Sequence, residues 1–213
     1  MMKKTLIATA MLATTAVAQA EISGNVTLAS DYVFRGISQT DNAPAIQGGF
    51  DYEHESGLYI GTWASNVDSA FFTNSTDPQI ELDLYGGYSG ETAGGLGYDL
   101  GYLRYEYPSG GSNADTNEIY ASLSYMGFTG SINYSDKLKF LASDESAYYL
   151  AAGYDMDLPM DFGLSFHLGY SDGDAFDSDE FGTDYMDWSI AVSKPLFGVD
   201  LGLTYTDTNL DDD

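Results

Sequence analysis

Cysteine is absent from the chain. That excludes disulfides, thiol catalysis and thiolate-bound metal. Basic residues are nearly absent too: seven Lys and Arg stand against 33 Asp and Glu, for a formal net charge of −26. Phosphate backbones are held by clustered Lys and Arg, so nucleic acid is excluded as a partner. Beyond residue 20 no apolar run reaches the ~20 residues of a spanning helix. What remains is rich in the opposite sense. Glycine numbers 24 and tyrosine 18, and 15% of residues are aromatic. Acidity with a mean hydropathy of −0.19 could suggest disorder, but that ring content argues against it. Gly, Tyr and Asp together fit strands and turns.

The first twenty residues read as a leader. Lys3 and Lys4 form a positive start, Leu6 to Val17 is apolar or small, and Ala18-Gln19-Ala20 is a cleavage site of the A-x-A kind. Residues 1–20 are expected to be a cleaved secretory signal peptide, and 21–213 a single exported domain.

Past the leader the apolar pattern has period two. Ile22–Ser38 sets it: Ile22, Val26, Leu28, Tyr32 and Phe34 fall in one register, and Ser23, Asn25, Thr27, Asp31 and Arg35 in the other. Its length exceeds the ~9–11 residues of a tilted bilayer-crossing strand. Tyr32 and Phe34, at one end of the apolar face, are expected as interfacial rings. Ten further strands are predicted: Ala45–His54, Leu58–Val67, Gln79–Ser89, Leu96–Tyr107, Glu118–Tyr125, Phe128–Ser135, Ala147–Met156, Phe162–Ser171, Tyr185–Ser193 and Val199–Thr206. Two have a broken phase. Ile60 and Trp63 cannot share a face without a bulge, and the fifth strand shifts near Leu103. The mid-strand Gly49, Gly101, Gly153 and Gly169 are placed inward, where they could leave open space.

The connections alternate. Glu55–Gly57, Gly90–Gly95, Met126–Gly127, Asp157–Asp161 and Lys194–Gly198 are short; Gln39–Pro44, Asp68–Pro78, Pro108–Asn117, Asp136–Ser146 and Asp172–Asp184 are longer. Short periplasmic turns and longer outer loops mark an outer-membrane barrel. The fold class expected is therefore all-β: an antiparallel up-and-down transmembrane β-barrel. Alternation alone also suits a soluble barrel with its apolar face inside. Rings near strand ends, such as Tyr52, Tyr88, Tyr125, Phe128, Tyr134, Tyr154, Phe162, Tyr170 and Tyr205, favour two interfacial girdles.

The run Ser23-Gly24-Asn25-Val26-Thr27-Leu28-Ala29-Ser30-Asp31-Tyr32-Val33-Phe34-Arg35-Gly36-Ile37-Ser38 resembles the opening of the TorF-type porins of proteobacteria, also known as a conserved family of unknown function. The likeness continues through Asn42-Ala43-Pro44-Ala45-Ile46-Gln47-Gly48 and Gly57–Val67, and returns in Tyr98–Tyr102 and Tyr105–Pro108. The resemblance implies an outer-membrane barrel of the channel type. It brings no substrate and no catalytic residues. Similar members finish with a further strand ending in an aromatic or apolar residue, whereas this sequence stops at Asp211-Asp212-Asp213.

Eleven strands conflict with the even number of bacterial single-chain barrels. About twelve are expected, with the last missing. The first and eleventh strands then run the same way, and an open seam or a parallel pairing is expected between them.

In the inverted reading the polar register lines a lumen. Its candidates are Asp31, Arg35, Asp51, Glu53, Glu81, Asp83, Asp99, Glu118, Asp155, His167, Asp187 and Asp200. Rings of carboxylates would favour cations. The same residues could also be a solvated face or the paired charges of a filled interior. Arg35 could meet Asp31 on its own strand or a carboxylate of a neighbour. The function expected is passive diffusion of small hydrophilic solutes, with cations favoured. The alternative is a filled barrel whose acidic outer loops act in adhesion, reception or structure. About twelve strands lies between filled small barrels and the open sixteen-stranded porins.

Other constellations are weaker. The acidic loop Ser171–Asp184 could hold Ca²⁺ through oxygens, but as an EF-hand it has Phe176 at the fifth position and Asp177 at the sixth, where Gly belongs. No metal site or cofactor is expected. Ser165 and His167 share a register without a nucleophile motif, so no enzyme is expected. His54 reads as surface, and Phe71-Phe72 as a loop pair that packs on its neighbours. Expected partners are outer-membrane lipid and lipopolysaccharide, the barrel-assembly machinery, and small solutes or cations.

Overall fold

The computed structural model describes residues 21–68, 79–108, 114–139, 143–176 and 184–210. Residues 1–20, Phe71-Phe72, the acidic loop from Asp177 to Glu180 and the terminal Asp211–Asp213 lie outside them.

Thirteen β elements follow one another: β1 (Glu21–Ala29), β2 (Val33–Phe34), β3 (Ile37–Ser38), β4 (Ala45–Glu53), β5 (Leu58–Asn66), β6 (Ile80–Glu91), β7 (Gly97–Glu106), β8 (Thr116–Tyr125), β9 (Phe128–Ser135), β10 (Ala147–Leu158), β11 (Phe162–Asp172), β12 (Tyr185–Leu196) and β13 (Val199–Thr208). Eleven form one up-and-down antiparallel sheet in the order β1-β4-β5-β6-β7-β8-β9-β10-β11-β12-β13, and β2 and β3 pair only with each other. The short turns gather at the end where β1 starts, the long connections at the end where it stops. Among the described residues no ladder joins β13 to β1, so the sheet is not closed. With eleven strands both edges run the same way, and an antiparallel ladder between them is impossible.

Periodicity explains the two registers. Val26, Leu28, Phe50, Leu100, Phe166, Leu168 and Leu203 point outward and are exposed, Val26 to 77%. Phe162, Leu164 and Tyr170 share that register but are half-buried. The rings expected near strand ends keep the outward register, and Phe128 and Tyr154 lie 4.3 Å apart between centroids. The apolar cluster of the described residues sits inside the curled sheet at the long-connection end, built from Val67, Tyr105, Tyr107, Leu138, Phe176 and Tyr185 with Phe34, Ile37 and Leu210 against it.

Three expectations need correction. The seventeen-residue first strand does not exist. β1 stops at Ala29, and β2 and β3 form a separate hairpin. Its two turn residues, Arg35 (φ 47°) and Gly36 (φ 81°), both have positive φ, the pattern of a type I′ turn. Tyr32 and Phe34 are therefore not interfacial rings. They turn inward, Tyr32 edge-on to Trp63 at 5.3 Å and Phe34 edge-on to Tyr105 at 5.9 Å. Second, the phase of β5 is not broken: its ladders to β4 and β6 run without a bulge, and Ile60 and Trp63 lie on opposite faces, Trp63 opposite Asp83. Third, β7 does not shift at Leu103, which lies opposite Tyr85 and Glu118 in continuous register. Trp63, Leu103 and Tyr105 face inward because the hairpin gives them something apolar to cover.

The inward glycines are occupied as well. A Cβ on Gly101 would run into the ring of Tyr120, and one on Gly61 into that of Tyr85. Each is the cross-strand partner of its tyrosine. These glycines seat rings that lie flat along the wall, and the open space expected at Gly101 is filled; Gly153 has nothing closer than 3.6 Å.

Candidate functional site

The site is the interior of the curled sheet, and the hairpin commands it. Residues 30–44 leave β1, cross the interior and return to β4. Asp31 brackets this excursion and is buried. Its Oδ1 accepts the Ser38 hydroxyl at 2.5 Å and lies 2.9 Å from Thr40 Oγ1. Thr40 Oγ1 in turn accepts the Tyr32 amide at 3.0 Å, and Gln39 N donates to Tyr32 O at 2.6 Å. Asp31 thus holds the neck of the hairpin and does not line a passage.

From that neck the hairpin reaches most of the wall. The Tyr32 hydroxyl donates to Glu81 Oε1 at 2.7 Å, and Tyr107 donates to Glu81 Oε2 at 2.8 Å. Burial, then the charges of Glu81 and Asp83, holds the Tyr32 phenol well above its ordinary range, so it remains a donor. The Arg35 guanidinium meets Glu118 Oε2 at 2.6 Å. It also stacks 4.3 Å over the Tyr149 ring and 4.7 Å over Phe34. Glu118 takes further bonds from Asn133 Nδ2 at 2.6 Å and Tyr105 Oη at 3.3 Å. The Tyr185 hydroxyl donates to Arg35 O at 3.1 Å. Of the two partners open to Arg35, the structure gives the carboxylate of another strand.

Beside this contact stands a second cluster. Tyr149 Oη lies 2.7 Å from His167 Nε2 and donates to Asp187 Oδ2 at 3.0 Å, while His167 Nε2 is 3.2 Å from Asp187 Oδ1. His167 is thus engaged with Tyr149 and Asp187. Toward the short-turn end, Tyr59 donates to Asp99 at 2.7 Å and touches the Tyr120 hydroxyl, and Tyr85 donates to Asp51. Asp155 is inward and half-buried. Glu53 and Asp200 are exposed near the turns.

The twelve candidates therefore separate by height. Glu81, Asp83, Glu118 and Asp187 gather around the hairpin and are buried. Asp51, Asp99 and Asp155 lie below it. Asp83 differs from its neighbours: its Oδ1 is buried without a hydrogen-bond partner. Below the hairpin a cavity of about 330 Å³ is lined by Phe34, Arg35, Tyr85, Tyr105, Glu118 and Tyr149, among others. The rings were missed by the sequence reading as site residues, because inward tyrosines interrupt no alternation. The signal available was a Tyr opposite a Gly in the facing strand, as at Tyr85 and Gly61. No group of three or more His, Asp or Glu that could hold a metal occurs among the described residues.

Residues 13–213 match the model of a family described as "Bacterial protein of unknown function (Gcw_chp)". No curated protein matches the chain. A solved structure similar to it is the crystal structure of a doubly substituted OccD1 (OprD), at 12% identity and a TM-score of 0.39, covering 89% of this chain and 66% of that one. The chain thus spans just under two thirds of that protein's length.

Proposed function

The chain belongs to the Gcw_chp family of bacterial proteins of unknown function, and we propose that it is an outer-membrane β-barrel forming a narrow, cation-favouring channel constricted by its own hairpin. One observation carries the reading: the outward register is apolar and exposed, while the inward register carries mainly hydroxyls, carboxylates and glycines, apolar only where the hairpin covers it. Such a belt is unstable against water and stable against lipid. The leader in residues 1–20 and the TorF-type resemblance of the opening residues support export to the outer membrane. Lipid, lipopolysaccharide and the barrel-assembly machinery are then its partners.

Cation preference rests on Asp51, Asp99 and Asp155 below the hairpin. The filled-barrel reading is favoured by one feature, the hairpin itself, which crosses the interior. Recording from purified protein in planar bilayers separates the two. A channel gives small conductance steps, a reversal potential favouring K⁺ over Cl⁻, and larger steps when Arg35→Ala loosens the hairpin. Changing Asp51 and Asp99 to Asn weakens the preference, most visibly at low salt. Silence in the wild type and in Arg35→Ala establishes the filled barrel. Anion preference overturns the charge argument.

A further inference from the structure

The Arg35 side chain is bound in the way a cationic ligand would be. It comes from a hairpin tip, carries its charge into a buried wall, and is held there by one carboxylate and two ring faces. Everything it touches on the wall belongs to other elements: Glu118 on β8 and Tyr149 on β10. Planar guanidinium fits this setting through its fork of N–H donors and its flat, weakly hydrated face. The cavity continues from that point toward the short-turn end, with a volume suited to a small ligand. Its lining joins rings to acid. Tyr85, Tyr105 and Tyr120 add faces, and Glu118 supplies the carboxylate. A neutral solute could stack on such rings, but it would leave the Glu118 carboxylate unanswered once Arg35 moves off it. A cationic one answers both.

We propose that this cavity binds small organic cations bearing a guanidinium or ammonium head, and that Arg35 occupies its inner end as a tethered competitor. The inference rests on the channel reading for its physiological sense and names the solute class that such a channel would take. A cation arriving from the short-turn side meets rings and carboxylates, and exchanges with Arg35 at Glu118. The exchange is a swap of partners in which no covalent bond changes.

The test needs no current. Wild type and Arg35→Ala, folded in detergent micelles, are titrated with millimolar methylguanidinium and with methylurea, its neutral isostere. Tyrosine fluorescence reads binding, and the heat-modifiable band on a gel reads the folded fraction. Arg35→Ala is expected to bind methylguanidinium about tenfold or more tighter than wild type, as removal of a resident cation frees the ring faces and carboxylate. Methylurea should do neither. Glu118→Gln in the same background should abolish the gain. Where Arg35→Ala does not fold alone, the expected result is recovery of the folded band by methylguanidinium only. Equal binding by wild type and Arg35→Ala, equal action of methylurea, or a folded band that neither compound recovers overturns the proposal. Binding with silent bilayers would end the channel reading and leave the site; conductance indifferent to methylguanidinium would end the site and leave the channel.

Discussion

Arg35 and Glu118, 83 residues apart in sequence, meet at 2.6 Å with side chains only 11% and 1% exposed. This contact fastens the hairpin tip to the far wall. Removing one partner of a buried pair leaves an uncompensated charge, at a cost of about 3–5 kcal/mol. Arg35→Ala or Glu118→Leu alone is expected to lose that much in urea unfolding from lipid vesicles. Arg35→Met combined with Glu118→Leu should lose less than either single change. Additive losses would show that the two side chains are not coupled.

The outward register gives a second expectation. Leu100 is exposed on β7, and its neighbour Asp99 lies opposite Ser122 on the inward register. An Arg on the lipid face near mid-bilayer costs about 2–4 kcal/mol. Leu100→Arg should therefore destabilise the folded protein in bilayers by that order, while Ser122→Arg, placed beside Asp99, should cost less. Equal losses at both positions would contradict the assignment of faces.

Glu81 and Asp83 are two residues apart on one face of β6, yet their surroundings differ. Glu81 satisfies the hydroxyls of Tyr32 and Tyr107. Glu81→Ala strands the buried Tyr107 phenol, at about 1–3 kcal/mol, and frees the half-buried Tyr32 phenol. Asp83, beside Glu81, has a buried oxygen without a hydrogen-bond partner. Asp83→Asn is expected to hold or raise the melting temperature of the folded band, and Glu81→Ala to lower it. The reverse order would show that Asp83 has a partner.

Gly36 supplies a fourth test. A Cβ there would fall inside contact distance of Thr208 Cγ2 and 2.7 Å from Asp187 Cβ, at a φ of 81°. Gly36→Ala should release the hairpin, with a cost of about 1 kcal/mol or more. Faster proteolysis between residues 30 and 44 measures this. Gly94→Ala, whose Cβ would meet nothing closer than 3.9 Å, should leave the rate unchanged.

The sheet strands after the first were legible because each shows an apolar residue at every second position, as Phe162 to Tyr170 do. Turn positions followed from Gly and Asp clusters. The hairpin was not legible, because Tyr32 and Phe34 continue the alternation of Val26 and Leu28 while the chain bends away beneath them. Two local cues pointed the other way: the excess length of the run, and Arg35-Gly36 in its interior, where Gly weakens a strand. The apparent breaks at Trp63 and Leu103 had the same origin. They mark the wall on which the hairpin rests, and period-two reasoning has no place for an apolar residue facing inward. The acidic candidates were found by register, but their division into neck and lower wall depended on where the hairpin lies.

The backbone at Gly36 rests against Asp187 of β12 and Thr208 at the end of β13. The hairpin's seat is therefore built in part from the paired β12 and β13. The excursion that leaves β1 thus turns back against β12 and β13, so the hairpin spans the interior as a strut between the two edges that no ladder joins among the described residues.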